Sequence, residues 1–316
     1  MQAAKTKQRS RPKSREAGST RAALRRDWDL YLMLLVPFCL LVLFKYVPIG
    51  GLIMAFQDYD IFGGFLESPM VGMKNFQELF AAREFLSVLW NTLCISWYKI
   101  LFFFPVPILV ALMLNEIKCG WYKRTVQTII YMPHFLSWVV VAGLTFDMLS
   151  STGAVNRLLA LFGVTPLNFL MDASKFQPIV VLSAIWKEAG YSAIVYLAAI
   201  SAIDPSLYEA AVMDGAGKLK QMLYITLPGI VPTIVMMLLL RIGTVMDGNV
   251  EQIMAMYNPT VYETGDVIGT FIYRMGLGNM RYSFAAAAGL FNSVVSFTQV
   301  FFSNMASKKL VHRSLW

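Results

Sequence analysis

Six runs of apolar residues, each almost free of charge, constrain this chain more than any other feature. A bilayer hydrocarbon core about 30 Å thick takes roughly 20 apolar residues in helix. The first run starts at Leu30 and stays uncharged to Phe44, with Lys45 placed to snorkel to the far interface. The second lies within Phe85–Asn115 and is broken by Lys99. The third is Thr125–Phe146, with His134 inside. The fourth is about Phe176–Ile203, interrupted by Lys187 and Glu188. The fifth is Leu227–Met246 with Arg241, and the sixth is Tyr282–Ser307. Unpaired backbone groups are too costly in hydrocarbon for these runs to be lipid-exposed loops. They also lack the ten-residue alternation of barrel strands. An all-α, polytopic membrane protein with six transmembrane helices follows. With 57% of residues hydrophobic and only 15% charged, too little charge remains to cover a soluble globule, which excludes a soluble enzyme.

The net charge of +8 raises the question of nucleic acid. Nine basic residues precede Asp29: Lys5, Lys7, Arg9, Arg11, Lys13, Arg15, Arg21, Arg25 and Arg26. Placed directly before an apolar run, they read as a cytoplasmic flank under the positive-inside rule. No nucleic-acid-binding motif follows, so no nucleic-acid partner is expected. The run is too long for a cleaved signal and acts as an anchor. Six spans return the C-terminus to the same side. Loops on that side carry Lys118, Lys123, Arg124, Lys218 and Lys220, then Lys308, Lys309 and Arg313. The opposite loops are longer, hold fewer basic residues, and carry many acids, among them Asp58, Asp60, Glu67, Glu78, Glu84 and Glu263. The organisation is therefore N-in and C-in. A basic tail spans 1–28, a transmembrane domain 29–307, and a C-terminal tail 308–316. External loops fall at about 46–84, 150–175 and 246–282. Cys39, Cys94 and Cys119 have no metal spacing and no disulfide framework.

The cytoplasmic loop 204–228 carries the most information. Asp204 is placed to cap a helix whose first residue is Pro205. Helix formers continue to Met213, then Asp214, Gly215 and Gly217 break the pattern. A second short helix, about Lys218–Tyr224, leads to Pro228. The result is a helix–turn–helix knob outside the membrane, suited to a groove in another protein.

Within this loop, Glu209-Ala210-Ala211, three residues, Gly215, nine residues, and Ile225-x-Leu227-Pro228 resemble the signature of permease subunits of binding-protein-dependent ABC importers. All seven specified positions match. The resemblance implies the type I ABC importer permease fold, in a bacterial inner membrane. It implies that Glu209, Ala210, Ala211, Asp214, Gly215, Ile225, Leu227 and Pro228 couple to a separate ATPase. It also implies partners: a second homologous permease, an ATPase dimer, and an extracytoplasmic solute-binding protein docking on the external loops. Asp27-Trp28-Asp29-Leu30-Tyr31-Leu32 with Phe44-Lys45-Tyr46 looks like the carbohydrate-uptake class. Asn249-Val250-Glu251-Gln252-Ile253, Asn258-Pro259 and the stretch from Asp266 to Gly276 look like permeases for oligo- and polysaccharides, alginate among them.

The chain supplies no catalytic group, no metal site and no nucleotide cradle of its own. A Walker A motif needs Gly four residues ahead of the Gly-Lys pair and Ser or Thr after it. Around Gly217-Lys218 those places hold Val212 and Leu219. ATP and Mg are therefore expected on the partner ATPase, with no cofactor on this chain. Ionisable groups at membrane depth are costly and become pathway candidates. These are Lys99, His134, Lys187, Glu188 and Arg241, with Trp138, Trp186 and Tyr191 as aromatic faces for sugar rings. His134 and Trp138, four apart, are expected on one helix face. The competing structural reading pairs Glu188 with Arg241. Lys and Arg would suit carboxylated sugars. A stand-alone secondary transporter or channel for a small polar solute is the alternative. It is disfavoured because residues 30–150 and 176–307 show no internal repeat.

Overall fold

The computed structural model describes residues 27–311, so most of the basic N-terminal tail and the last five residues lie outside the described residues. The described chain divides into two compact units that part between Leu52 and Ile53. In the first unit, an α-helix starts at Trp28 and runs to Leu41, capped by no side chain. It has no buried residue, and it is apolar all round, as a helix facing lipid can be. A π turn follows at Val42–Tyr46. Lys45 therefore does not end the span. Helix continues through a 3-10 stretch at Val47–Phe56, and the span covers Trp28–Phe56. The first external loop accordingly starts at Gln57, later than its predicted start at 46.

Five further helices are long and apolar enough to cross a membrane: Arg83–Glu116, Trp138–Ala160, Ala173–Ser201, Lys218–Asp247 and Tyr282–Lys309. Among the described residues there is no β-strand, only one isolated bridge between Gln57 and Met70. The fourth span is the central one. Its buried face includes Ala184, Ala189, Gly190 and Ala193, small residues that let neighbouring backbones approach. Lipid is as apolar as leucine, so close packing rather than the hydrophobic effect holds such helices together. Ala111, Leu112, Ala193, Tyr196, Ile200 and Ile230 lock the second, fourth and fifth spans in one cluster. On the sixth span, Ala285, Ala287 and Ala288 are buried as close-packing residues, as their small size predicts.

The third predicted span is wrong in its boundaries. Instead of one helix over Thr125–Phe146, a helix at Gly120–Tyr131 ends in a 3-10 turn at Met132–Phe135. A new helix starts at Trp138. Pro133 has no N–H to continue the first helix, and Ser137 caps the second by accepting from the Val140 N–H at 3.3 Å. His134 and Trp138 therefore do not share a helix face.

The segment expected as an external loop at 246–282 folds into short helices, including Val250–Met256, Tyr262–Gly265 and Ile268–Tyr273. Ile253, Met256, Val261 and Val267 pack with Ile95, Ala142, Phe176 and Val180 from three spans. The segment is thus part of the interior. Arg274 ties it down, donating to Asp266 at 2.5 Å and to Glu84 at 2.7 Å. Burial opposes the Arg274 charge, but these two carboxylates more than offset it and hold the guanidinium above its ordinary pKa.

Candidate functional site

Two places concentrate the chemistry. The first is the knob between the fourth and fifth spans. Its first helix is Pro205–Met213, with Pro205 in the first turn. The Asp204 carboxylate accepts the Ser206 N–H at 2.9 Å. That bond holds the carboxyl below its ordinary pKa. Asp214 ends the helix, and Gly215 turns the chain at φ 75°, a conformation that costs other residues roughly 1–2 kcal/mol. Gln221 donates to the Ala216 carbonyl at 2.8 Å and closes the turn.

The second helix differs from expectation. It does not stop short of the fifth span but runs into it as one helix, Lys218–Asp247. The missing N–H of Pro228 is accommodated by a π turn at Met222–Thr226, which widens the helix just ahead of the proline. Two contacts anchor the knob to the spans. The Tyr208 hydroxyl meets the Thr226 hydroxyl at 2.9 Å, and Lys218 pairs with Glu116 at the end of the second span. The knob is thereby tied to the second and fifth spans.

No residue of the first knob helix is buried. Glu209, Ala210, Asp214, Gly215 and Pro228 are exposed, while Ala211, Ile225 and Leu227 are half-buried. Leu207, Val212, Met213, Leu219 and Tyr224 stand exposed around them, and Met213 is 86% accessible. A soluble tip with this much uncovered apolar surface is a contact surface.

The second place is a polar layer near mid-membrane. Lys99 lies about 24 Å along the second span from Arg83, and Lys187 about 21 Å along the fourth from Ala173, at 1.5 Å per residue. Lys99 is buried and donates to the Gln252 side-chain amide oxygen, Oε1, at 2.7 Å. The Gln252 amide donates to the Val180 carbonyl at 2.7 Å and to the Ser183 hydroxyl at 2.9 Å. One turn further along, Lys187 donates to the His134 carbonyl at 2.7 Å and lies over the Trp138 ring at 5.2 Å. His134 stacks flat on Tyr191 with ring centroids 3.8 Å apart. The break in the third predicted span is what gives Lys187 its partner: the 3-10 turn leaves the His134 carbonyl free of helix bonding.

The structure thus brings together Lys99, His134, Trp138, Lys187 and Tyr191. Trp186 turns away and lines an outer cleft with Met148, Pro178 and Leu182. The Glu188–Arg241 ion pair of the competing structural reading does not form. Arg241 instead sits over the Phe103 ring at 4.9 Å. Among the described residues, none of Lys99, Lys187, Glu188 and Arg241 makes an ion pair. Lys99 and Arg241 line a small polar cavity of about 20 Å³, space for about one water-sized atom. No group of His, Cys, Asp and Glu able to hold a metal occurs among the described residues.

Gln252 is a member of this layer that the sequence did not single out for chemistry. It stood only as one residue of the Asn249–Ile253 stretch that resembles saccharide permeases, in a segment expected to be an external loop. The clue lay in its chain position, next to the apolar Ile253 and one turn before Met256, which pull the helix inward. Gln252→Leu is expected to destabilise the fold by about 3 kcal/mol, because it leaves the buried Lys99 amine without its hydrogen-bond partner. A neutral interhelical bond would contribute only about 0.6 kcal/mol. Lys99→Met together with Gln252→Leu should recover most of that loss, measured as a double-mutant cycle on the unfolding midpoint of the detergent-purified complex. Equal loss in the single and double variants would show that Lys99 is not what Gln252 neutralises.

Six membrane helices, an interior layer of cations and aromatics, and an exposed helix–turn–helix knob define a transport permease. The chain belongs to the family of binding-protein-dependent transport system inner membrane components, whose profile matches residues 103–310. It is the transmembrane subunit of an ABC importer of the bacterial inner membrane. The polygalacturonan/rhamnogalacturonan transport system permease protein YteP of Bacillus subtilis (strain 168) is 44% identical over 288 residues, covering 91% of this chain and 90% of that protein. A permease chain in a crystal structure of a bacterial ABC transporter involved in import of the acidic polysaccharide alginate is 46% identical. It superposes with a TM-score of 0.85 over 92% of this chain and 98% of that one. A bacterial alginate ABC transporter in complex with an alginate pentasaccharide-bound periplasmic protein matches with a TM-score of 0.86 and 44% identity, covering 94% of this chain and 100% of the other.

Proposed function

We propose that this subunit imports an acidic oligo- or polysaccharide, drawing its energy from a separate ATPase dimer that grips the 204–228 knob. A second, homologous permease completes the pathway, and an extracytoplasmic solute-binding protein delivers the sugar. The observation that carries the substrate class is the charge inventory at membrane depth. In the middle of the spans, the ionisable side chains that are not exposed are three cations, Lys99, Lys187 and Arg241, and one acid, Glu188, with no ion pair among them. Uncompensated cations in a membrane interior are costly, so a pathway that keeps three is built for an anion. Tyr191, which stays exposed beside His134, offers an aromatic face to a sugar ring, and carboxylates of a uronate chain complement Lys187 and Arg241. The relatives named for polygalacturonan, rhamnogalacturonan and alginate support the same class.

The test uses proteoliposomes holding the whole complex with its binding protein, supplied with uronate and with neutral oligosaccharides of equal length. Uronate should be taken up and the neutral chain excluded. Arg241→Ala and Lys187→Ala should each lower uronate uptake about tenfold, the loss of one charge-assisted contact of roughly 1.4 kcal/mol. Equal uptake of both sugars by the unmodified complex would sink the acidic substrate class.

A further inference from the structure

The external loop after the first span presents two large apolar side chains almost wholly to solvent. Phe62 is 95% exposed and Leu66 is 99% exposed, with Ile61 and Met70 exposed beside them. Single exposed leucines are ordinary; a cluster displayed by an ordered loop is a recognition surface. The loop is ordered by its own hydrogen bonds. The Asp60 carboxylate accepts from the Phe62 N–H at 3.3 Å and the Gly63 N–H at 3.2 Å. The Asp60 N–H donates to the Ser68 hydroxyl at 3.0 Å, and the Ser68 hydroxyl donates to the Gly64 carbonyl at 2.5 Å. Gln57 reaches across to the Phe65 carbonyl at 2.8 Å. The Tyr59 N–H donates to the Ser283 hydroxyl at 2.8 Å, fixing the loop to the outer end of the sixth span. Tyr59 also packs edge-on against Tyr282, ring centroids 6.0 Å apart. Phe62 and Leu66 are therefore held out by a fixed backbone, with little ordering entropy left to lose on binding.

The charges around the pair select its occupant. Asp58, Asp60 and Glu67 are exposed on this loop. No Lys or Arg occurs between Tyr46 and Met73. A loop bearing three carboxylates and no cation is repelled by anionic lipid headgroups. It complements a protein surface whose apolar pocket is rimmed by basic residues, the pattern in which apolar anchors bind and rim charges steer. In a close structural relative, the transporter is held in complex with a periplasmic protein.

We propose that Phe62 and Leu66 are the anchor by which the solute-binding protein docks on this subunit, in a basic-rimmed apolar pocket. The proposal rests on the reading of the chain as a binding-protein-dependent importer of an acidic saccharide. Phe62→Ser with Leu66→Ser leaves the loop's hydrogen bonds untouched, because those come from Gln57, Tyr59, Asp60 and Ser68.

The experiment titrates binding protein, loaded with a uronate oligosaccharide, against the complete transporter in nanodiscs, reading ATPase stimulation. The double variant should raise the half-saturating binding-protein concentration at least tenfold. Its basal ATPase rate and its copurification with the second permease should stay unchanged. Glu67→Lys, which keeps both apolar anchors, should raise the half-saturating concentration about threefold at low salt and less at high salt. A bimane on Phe62→Cys, with Cys39, Cys94 and Cys119 changed to Ser, should shift to the blue only when binding protein is added. An unchanged half-saturation overturns the proposal. So does loss of the second permease from the double variant, which would make the patch a permease–permease contact. Blue emission in lipid alone overturns it too, by placing Phe62 in the bilayer. A complex that no binding protein stimulates before any substitution overturns the importer reading, and this proposal with it.

Discussion

Gly190→Ala is expected to lower the unfolding free energy of the membrane domain by about 3 kcal/mol, the upper end of overpacking costs, and to cut uptake at least tenfold. A methyl group built on Gly190 would lie 2.3 Å from the Ile130 carbonyl oxygen and 2.3 Å from the Ile130 Cγ2. The first of these is backbone, which has no rotamer to yield, so the two helices must part. The same helices carry the polar layer. Gly190 precedes Tyr191, which stacks on His134, and Lys187 one turn earlier bonds the His134 carbonyl at 2.7 Å. Separating the fourth span from the 120–131 helix therefore loosens the contacts that set Lys187, the charge proposed to line the pathway. Gly143→Ala is the control. It sits in a helix with nothing within 4 Å of the added methyl, and alanine's better helix propensity contributes about 0.5–1 kcal/mol of stability. The comparison is read from thermal unfolding of the purified complex and from initial uptake rates. Equal behaviour of the two variants would remove close helix approach as the reason for glycine at 190.

The second large effect falls on coupling. Glu209→Ala and Gly215→Pro should each leave the chain inserted in the membrane, weaken ATPase association, and stop ATP-dependent uptake. The two act differently. Glu209 is exposed and its side chain makes no hydrogen bond within the described residues, so its loss leaves the knob itself intact and tests the proposed ATPase contact alone. Gly215 sits at φ 75°, and its N–H donates to the Val212 carbonyl at 3.0 Å. Proline fixes φ near −65° and has no N–H, so it reshapes the turn itself. Gly215→Ala, with open space around the added methyl but a strained φ, should fall between wild type and Gly215→Pro. The measurement is ATPase copurification alongside uptake into proteoliposomes. Normal uptake in both the Glu209 and the Gly215→Pro variants would remove this knob from the energy path.

Much of the architecture was legible in the sequence because its signals are local. Hydropathy marks a helix that must satisfy its own backbone in lipid, whatever surrounds it. The knob was legible for the same reason. Asp204, Pro205, Gly215 and Gly217 act on their own few residues, and the helix they delimit forms at Pro205–Met213. The boundaries that failed were those where a local signal competes with a distant partner. Pro133 breaks a continuous apolar run, and Pro228, which looks like a break, is absorbed by a π turn. The 246–282 segment looked external because it is polar and long. It folds inward because Ile253, Met256 and Val267 find apolar partners on spans far away in sequence.

The sequence by itself determined the class: six spans, both ends on one side, an exposed knob, and cations where cations are costly. Those follow from the price of burying charge and unpaired backbone in lipid, which depends on composition and spacing alone. Only the tertiary structure decided which charges meet which partners. It parted Glu188 from Arg241, joined Lys99 to Gln252 across 153 residues, and set Lys187 against a carbonyl freed by a broken helix. Such pairings depend on how closely helices approach and how each is rotated, and glycine and alanine contacts between distant segments fix both.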